Sequence, residues 1–158
     1  MELAEAIGAL LLDQKATLST AESCTGGLIG HKITEIAGCS RYYKGGVVAY
    51  SNELKQVLLG VNPDTISNHG AVSKETVIEM ALGCQKRLQT DYAIAVSGIA
   101  GPDGGTPDNS VGSVWIAVAS PNQEVDAEKF QFSTHRHINI ELSANIALSK
   151  LRRRIIGV

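Results

Sequence analysis

The run Tyr92 to Ser97 (YAIAVS) narrows the choice of fold more than any other segment. It is apolar up to its closing serine and too short for a helix, the pattern of a parallel strand covered on both faces. Such a strand needs helices above and below it, and the chain supplies them. Leu3, Ala6, Ile7, Leu10 and Leu11 recur at helical spacing over residues 2–14. Ile29, Ile33, Ile36 and Ala37 mark a second helix that Gly38 ends. Ser51 or Asn52 caps a short third helix through Lys55 to Leu59, with Gly60 as its stop. Ser73 caps a longer helix whose Val77, Ala81, Cys84 and Leu88 share a face. Residues 137–156 form the last helix, buried along Ile140, Ala144, Ala147, Leu148, Leu151 and Ile155. Further strands are read at Ala16 to Thr20, Gly45 to Tyr50, Val111 to Ala119 and Ala127 to Ser133, the last two joined at Pro121-Asn122.

Interleaved helices and short apolar strands predict an α/β fold. The expected architecture is one domain over residues 1–158: a three-layer α/β/α sandwich around a mixed, mainly parallel sheet. There is no internal repeat, low-complexity tract or linker. A composition of 44% hydrophobic and 19% charged residues supports a real core. The net charge of −2 and pI near 6.1 argue against nucleic acid as a partner. The one basic run, Arg152-Arg153-Arg154, closes a helix, where cations complement the dipole. Three cysteines without a C-x-x-C pair match a reducing compartment. Glu2, Glu5 and Asp13 interrupt any apolar leader, and no segment has the length and apolarity to span a bilayer. A cytoplasmic protein with no membrane partner is expected.

Three places carry residue types suited to chemistry. The first is Ser23-Cys24-Thr25-Gly26-Gly27, a serine between a strand end and a helix start. Unpaired N–H groups there can hold a phosphate or stabilise an oxyanion beside a nucleophile; equally, Ser23 or Thr25 can simply cap the helix. The second is Tyr50-Ser51-Asn52-Glu53-Leu54-Lys55. A lysine in a first helical turn is disfavoured by roughly 0.3–1 kcal/mol. Such lysines commonly point to solvent, but with partial burial the same field biases Lys55 towards the neutral amine that a general base requires. Tyr50 can orient either group or relay a proton. The third is the loop from Gly98 to Asn109, whose Gly98, Gly101, Gly104 and Gly105 permit close backbone approach to a ligand. It contains neither G-x-G-x-x-G nor G-K-[ST], and a plain surface loop remains the alternative. His31, His69, His135 and His137 lack metal-ligand spacing, Asp103 and Asp108 suit turns, and Cys24 is a weaker candidate nucleophile at the helix start.

Taken together, TAESCTGG (Thr20 to Gly27), GGVVAYSNELK (Gly45 to Lys55), HGAVS (His69 to Ser73) and SGIAGPDGG (Ser97 to Gly105) resemble one family. It is the C-terminal domain of the competence-damage-inducible protein CinA, with its stand-alone relatives, the nicotinamide-nucleotide amidohydrolases. Order and spacing match over nearly the whole chain. The resemblance implies hydrolysis of nicotinamide mononucleotide to nicotinate mononucleotide and ammonia in pyridine nucleotide recycling. It further implies a homodimer or larger oligomer, no cofactor and no metal. Larger members carry an additional N-terminal domain linked to nucleotide pyrophosphatase activity, which is not expected of this chain. Carried over by position, the nucleophile falls on Ser23, the lysine on Lys55 and the accompanying tyrosine on Tyr50. Ser97 stands where many relatives have threonine, and a substrate-holding arginine aligns with Arg136. Around it this chain reads Thr134-His135-Arg136, where relatives often have Gly-Asp-Arg.

The expected mechanism has neutral Lys55 deprotonating Ser23, which attacks the carboxamide carbon, with N–H groups of Cys24, Thr25, Gly26 and Gly27 around the oxyanion. Arg136 and the amides of residues 98–105 are candidates for the phosphate and ribose. The alternatives are a nucleotide-binding module without catalysis and a broader Ser-Lys amidase.

Overall fold

A computed structural model describes all of residues 1–158. Its strands are β1 (Leu18–Glu22), β2 (Tyr43–Val48), β3 (Tyr92–Gly98), β4 (Ser113–Ala119) and β5 (Val125–Gln131). They form one sheet in the order β2-β1-β3-β4-β5. β1 pairs in parallel with β2 and β3, and β4 pairs antiparallel with β3 and β5. Four strands therefore run one way and β4 alone the other, so the mixed sheet is mainly parallel in direction.

The helices are α1 (Leu3–Gln14), α2 (Leu28–Thr34), α3 (Asn52–Leu59), α4 (Pro63–His69), α5 (Lys74–Leu88) and α6 (Arg136–Ile156). Alternation along the strands divides the core in two. On one face Leu18, Ile94, Val96, Val114, Ile116 and Val118 meet the apolar stripes of α1, α2 and α6. On the other, Ala21, Ala93, Ala95, Ala117 and Ala119 meet Val77, Met80, Ala81 and Cys84 of α5 and Leu59 of α3. The small side chains on that face let α5 lie close across the sheet, in contact with every strand. The result is the three-layer α/β/α sandwich.

Capping follows the sequence closely. Ser51 Oγ accepts from the Leu54 N–H at 3.1 Å, and Ser73 Oγ from the Thr76 N–H at 3.2 Å. Gly60 ends α3 in the left-handed region. Other boundaries move. β1 begins and ends two residues later than the apolar pattern predicts, because Lys15 closes α1 in a left-handed conformation and the chain reaches the sheet only at Leu18. This shift brings Glu22 into the strand and leaves Ser23 directly after it. β2 also lies two residues earlier than expected, and as an edge strand it is half-exposed, not buried. α2 stops at Thr34, before Ile36 and Ala37. α4 is not anticipated at all, although Asn62 caps it through the Asp64 N–H at 2.9 Å and Pro63 opens it.

Candidate active site

The carboxyl ends of β1 and β3 adjoin where the chain switches direction across the sheet, the usual ligand position in open α/β folds. Ser23 follows β1, its N–H bonded to Val96 O at 3.1 Å, and is only 7% exposed. The end of β2 reaches the same place through Ala49, whose N–H donates to Glu22 O at 2.8 Å. From there the chain turns into α3. The inward face of that helix carries Lys55 and, one turn later, Leu59, each 1% exposed.

The Lys55 ammonium or amine thus lies against three oxygens, none of them a carboxylate. Nζ is 2.9 Å from Ser23 Oγ, 3.0 Å from Ala49 O and 3.3 Å from Tyr50 O. Burial pushes its pKa below the ordinary lysine value of 10.5, and the neighbouring Cys24 only partly opposes this. A neutral amine has two hydrogens and one lone pair. The two carbonyls can take the hydrogens, which leaves the lone pair for the Ser23 hydroxyl. The arrangement can therefore activate a serine as a nucleophile.

The turn after Ser23 departs from expectation. Gly26 and Gly27 adopt φ of 61° and 105°, a left-handed pair that only glycine takes without strain. The start of α2 is not open to a ligand, because the Glu22 side chain occupies it. That carboxylate, 2% exposed, accepts from Thr25 Oγ1 at 2.6 Å and from the N–H groups of Gly27, Ile29 and Gly30 at 3.2, 2.9 and 3.0 Å. The Gly26 N–H goes to Ser23 O at 3.0 Å. Of the donors expected at an oxyanion, those of Gly26 and Gly27 are already bonded. The N–H groups of Cys24 and Thr25 donate to no other residue of the chain. Cys24 itself is 5% exposed and burial raises its thiol to about 12, so it holds no thiolate at neutral pH.

Tyr50 and Arg136 meet above this pair. Arg136 donates to Tyr50 Oη at 2.8 Å and to Gly101 O at 2.8 Å, linking the start of α6 to the glycine loop and to the end of β2. Tyr50 therefore contributes its backbone carbonyl to Lys55 and its hydroxyl to Arg136, and the hydroxyl is not bonded to either member of the Ser23–Lys55 pair. Ser97, 1% exposed, donates to Ala71 O at 2.8 Å, which commits its hydroxyl hydrogen to the HGAVS segment. Gly98 ends β3 and Gly101 is buried, while Gly104 and Gly105 lie exposed in the loop. A cleft of about 480 Å³ opens beside the loop, bordered by Ile99, Gly104, His69, Gly70, Asp108 and Asn109. It includes none of Ser23, Lys55, Tyr50 and Arg136, and no lysine or arginine lines it. No three residues among His, Cys, Asp and Glu gather as a metal site.

The family model of the CinA C-terminal domain matches residues 1–155. This chain belongs to that family. Among curated relatives, a CinA-like protein of Trichormus variabilis is 48% identical over 98% of this chain, and one of Endomicrobium trichonymphae is 51% identical over 98%. The chain spans 38% and 36% of their respective lengths. Among solved structures, the competence/damage inducible protein CihA from Agrobacterium tumefaciens superposes with a TM-score of 0.92 at 39% identity, covering 94% of this chain and 91% of that one. Competence damage-inducible protein A from Klebsiella pneumoniae gives 0.94 at 32%, covering 98% and 95%.

Within this CinA domain two supporting residues escape the sequence reading. Glu22 is one; its signal is an acid closing an otherwise neutral buried strand just before a helix start. Asn139 is the other, 1% exposed on the apolar side of α6. Its amide donates to Ala100 O and Ser133 O at 2.9 Å each, and its Oδ1 accepts from the Ser133 N–H at 3.0 Å. It thereby ties the glycine loop to the segment carrying Arg136. A lone amide inside an apolar stripe is the only trace it leaves in the sequence.

Proposed function

We propose that this CinA-family chain is a nicotinamide mononucleotide deamidase, acting through a Ser23–Lys55 acyl-enzyme cycle. The observation that carries the reading is the buried Lys55 amine, 2.9 Å from Ser23 Oγ with two carbonyls as its other partners. Lys55 Nζ takes the hydroxyl proton as Ser23 Oγ bonds to the carboxamide carbon. The negative carbonyl oxygen is met by the N–H groups of Cys24 and Thr25; the residue after a nucleophile is a common donor in such turns. The tetrahedral intermediate breaks its C–N bond, Nζ returns the proton to the leaving nitrogen, and ammonia departs. Water then attacks the acyl ester with Lys55 again accepting the proton. The acid is released and Ser23 recovers its hydrogen from Nζ.

Arg136 supports recognition of the phosphate. Its guanidinium uses donors on Tyr50 and Gly101 and keeps others free, whereas the neighbouring cleft offers no cationic side chain. Tyr50 holds that guanidinium through its hydroxyl, which makes no bond to Ser23 or Lys55. Because a single arginine carries the anion end, a broader Ser-Lys amidase is the second reading. Cytoplasmic pyridine nucleotide recycling and assembly as a homodimer or larger oligomer belong to the proposal through the family. The test is formation of ammonia and nicotinate mononucleotide in equal amounts from nicotinamide mononucleotide by the purified chain, compared with nicotinamide riboside. Preference for the phosphorylated substrate supports the deamidase. Equal turnover of both supports the broader amidase, and turnover of neither refutes both.

A further inference from the structure

We propose that Glu22 is a positioning residue for catalysis, fixing the turn that presents the Cys24 and Thr25 N–H groups beside Ser23. The inference rests on the reading of Ser23 as a nucleophile, but not on the identity of the substrate. Glu22 is bonded both to the segment beside that turn and to its far end. Its main-chain oxygen holds Ala49, which supplies an acceptor to Lys55. Its side chain holds Thr25 Oγ1 and three N–H groups of the following helix start.

A buried carboxylate with no cationic partner is expensive unless hydrogen bonds surround it, and here four do. Those bonds have a consequence for the turn. The N–H groups of Gly27, Ile29 and Gly30 are drawn to one side chain, so the chain between Ser23 and Gly27 has its far end anchored. With the Ser23 N–H held by Val96 at the near end, Cys24 and Thr25 are left as the free donors. A glutamine in place of Glu22 presents an NH₂ group where one oxygen now accepts. It sets donor against donor at either Gly30 or the Thr25–Gly27–Ile29 side. The turn then relaxes while the Lys55 contacts to Ala49 O and Tyr50 O, which lie on the β2–α3 segment, persist.

The experiment uses the whole chain and a fluorophosphonate probe, so it needs no nucleotide substrate. Ser23 Oγ bonds to phosphorus, the P–F bond breaks, fluoride leaves and Lys55 takes the serine proton. Labelling at Ser23 is mapped by peptide mass spectrometry, and its rate is followed from pH 6 to 10. The expected result for Glu22→Gln is labelling to one probe per chain, with a plateau rate about tenfold lower than in the wild type. The midpoint of the pH profile does not rise. An unchanged plateau overturns the proposal. So does a midpoint that rises with the lower plateau, since that means water has entered around Lys55 and the whole site has loosened. Should Glu22→Gln fail to fold, Thr25→Val removes the shortest bond to the carboxylate, and labelling at the wild-type rate in that variant overturns the proposal. Wild-type protein that labels at Ser23 without releasing ammonia from nicotinamide mononucleotide refutes the substrate reading and leaves the Glu22 comparison intact. Wild-type protein that does not label at Ser23 overturns the Glu22 proposal together with the nucleophile.

Discussion

Lys55 is the residue on which the proposed chemistry turns, and its surroundings explain why lysine would serve there. A guanidinium stays protonated at any pH the protein meets, so Lys55→Arg preserves charge and removes the base. For the wild type, burial lowers the Lys55 pKa from 10.5, and only the neutral amine accepts the Ser23 proton. The expected kcat/KM for amide hydrolysis therefore rises with pH through one ionisation below that value and then levels. A profile independent of pH across the neutral and alkaline range contradicts this role. At this scale the sequence was informative about identity and silent about contact. Ser23, Lys55 and Tyr50 stand out in their motifs, Arg136 comes only through the family resemblance, and the structure brings all four to one end of the sheet. Nothing in the spacing says that the Tyr50 hydroxyl bonds Arg136 rather than the reacting pair, or that the Ser97 hydroxyl is committed to Ala71. Those are tertiary contacts between segments far apart in the chain.

Among the elements, α5 shows how closely the layer over the alanine face is fitted. A side chain on Gly83 would run into the carbonyl oxygen of Leu59, the residue that ends α3, and backbone cannot swing aside as a flexible side chain can. Gly83→Ala is expected to destabilise the fold by about 1–3 kcal/mol through overpacking, despite the better helix propensity of alanine. Urea denaturation checks this; a midpoint at or above that of the wild type contradicts it. Because α3 carries Lys55, the same variant is a test of how far the base depends on α5. Element types were legible wherever an apolar period coincided with a cap, as at Ser51–Gly60 and Ser73–Leu88. Strand ends were not, because the apolar runs at β2 and β5 continue past the residues that make ladder bonds. α4 was missed because it buries none of its seven residues fully, so no apolar stripe announces it.

For the whole molecule, the two-faced sheet explains how a 158-residue chain holds a buried amine at its strand ends. Large aliphatic residues fill one side, and small ones admit α5 and α3 on the other. The buried amine also links folding to pH. The folded state of Lys55 binds its proton more weakly than the unfolded chain, so stability rises with pH between the lowered folded value and 10.5. Below that window the protonated amine opposes folding in full. Lys55→Met removes this contribution, and the stability of the wild type relative to the variant should increase as the pH is raised through the window. Thermal unfolding at a series of pH values measures it, and a constant difference contradicts it. No helix is long and apolar enough to cross a membrane. The α/β sandwich and family were legible because four motifs and the helical periods span nearly the whole chain.

The most direct measurement is ammonia release from nicotinamide mononucleotide by the wild type, Ser23→Ala and Lys55→Ala, at one alkaline pH with folding verified for each. Loss of a nucleophile or its base is expected to lower turnover by about 10²–10⁴-fold in either variant. Turnover in Ser23→Ala or Lys55→Ala equal to that of the wild type would contradict the Ser-Lys account.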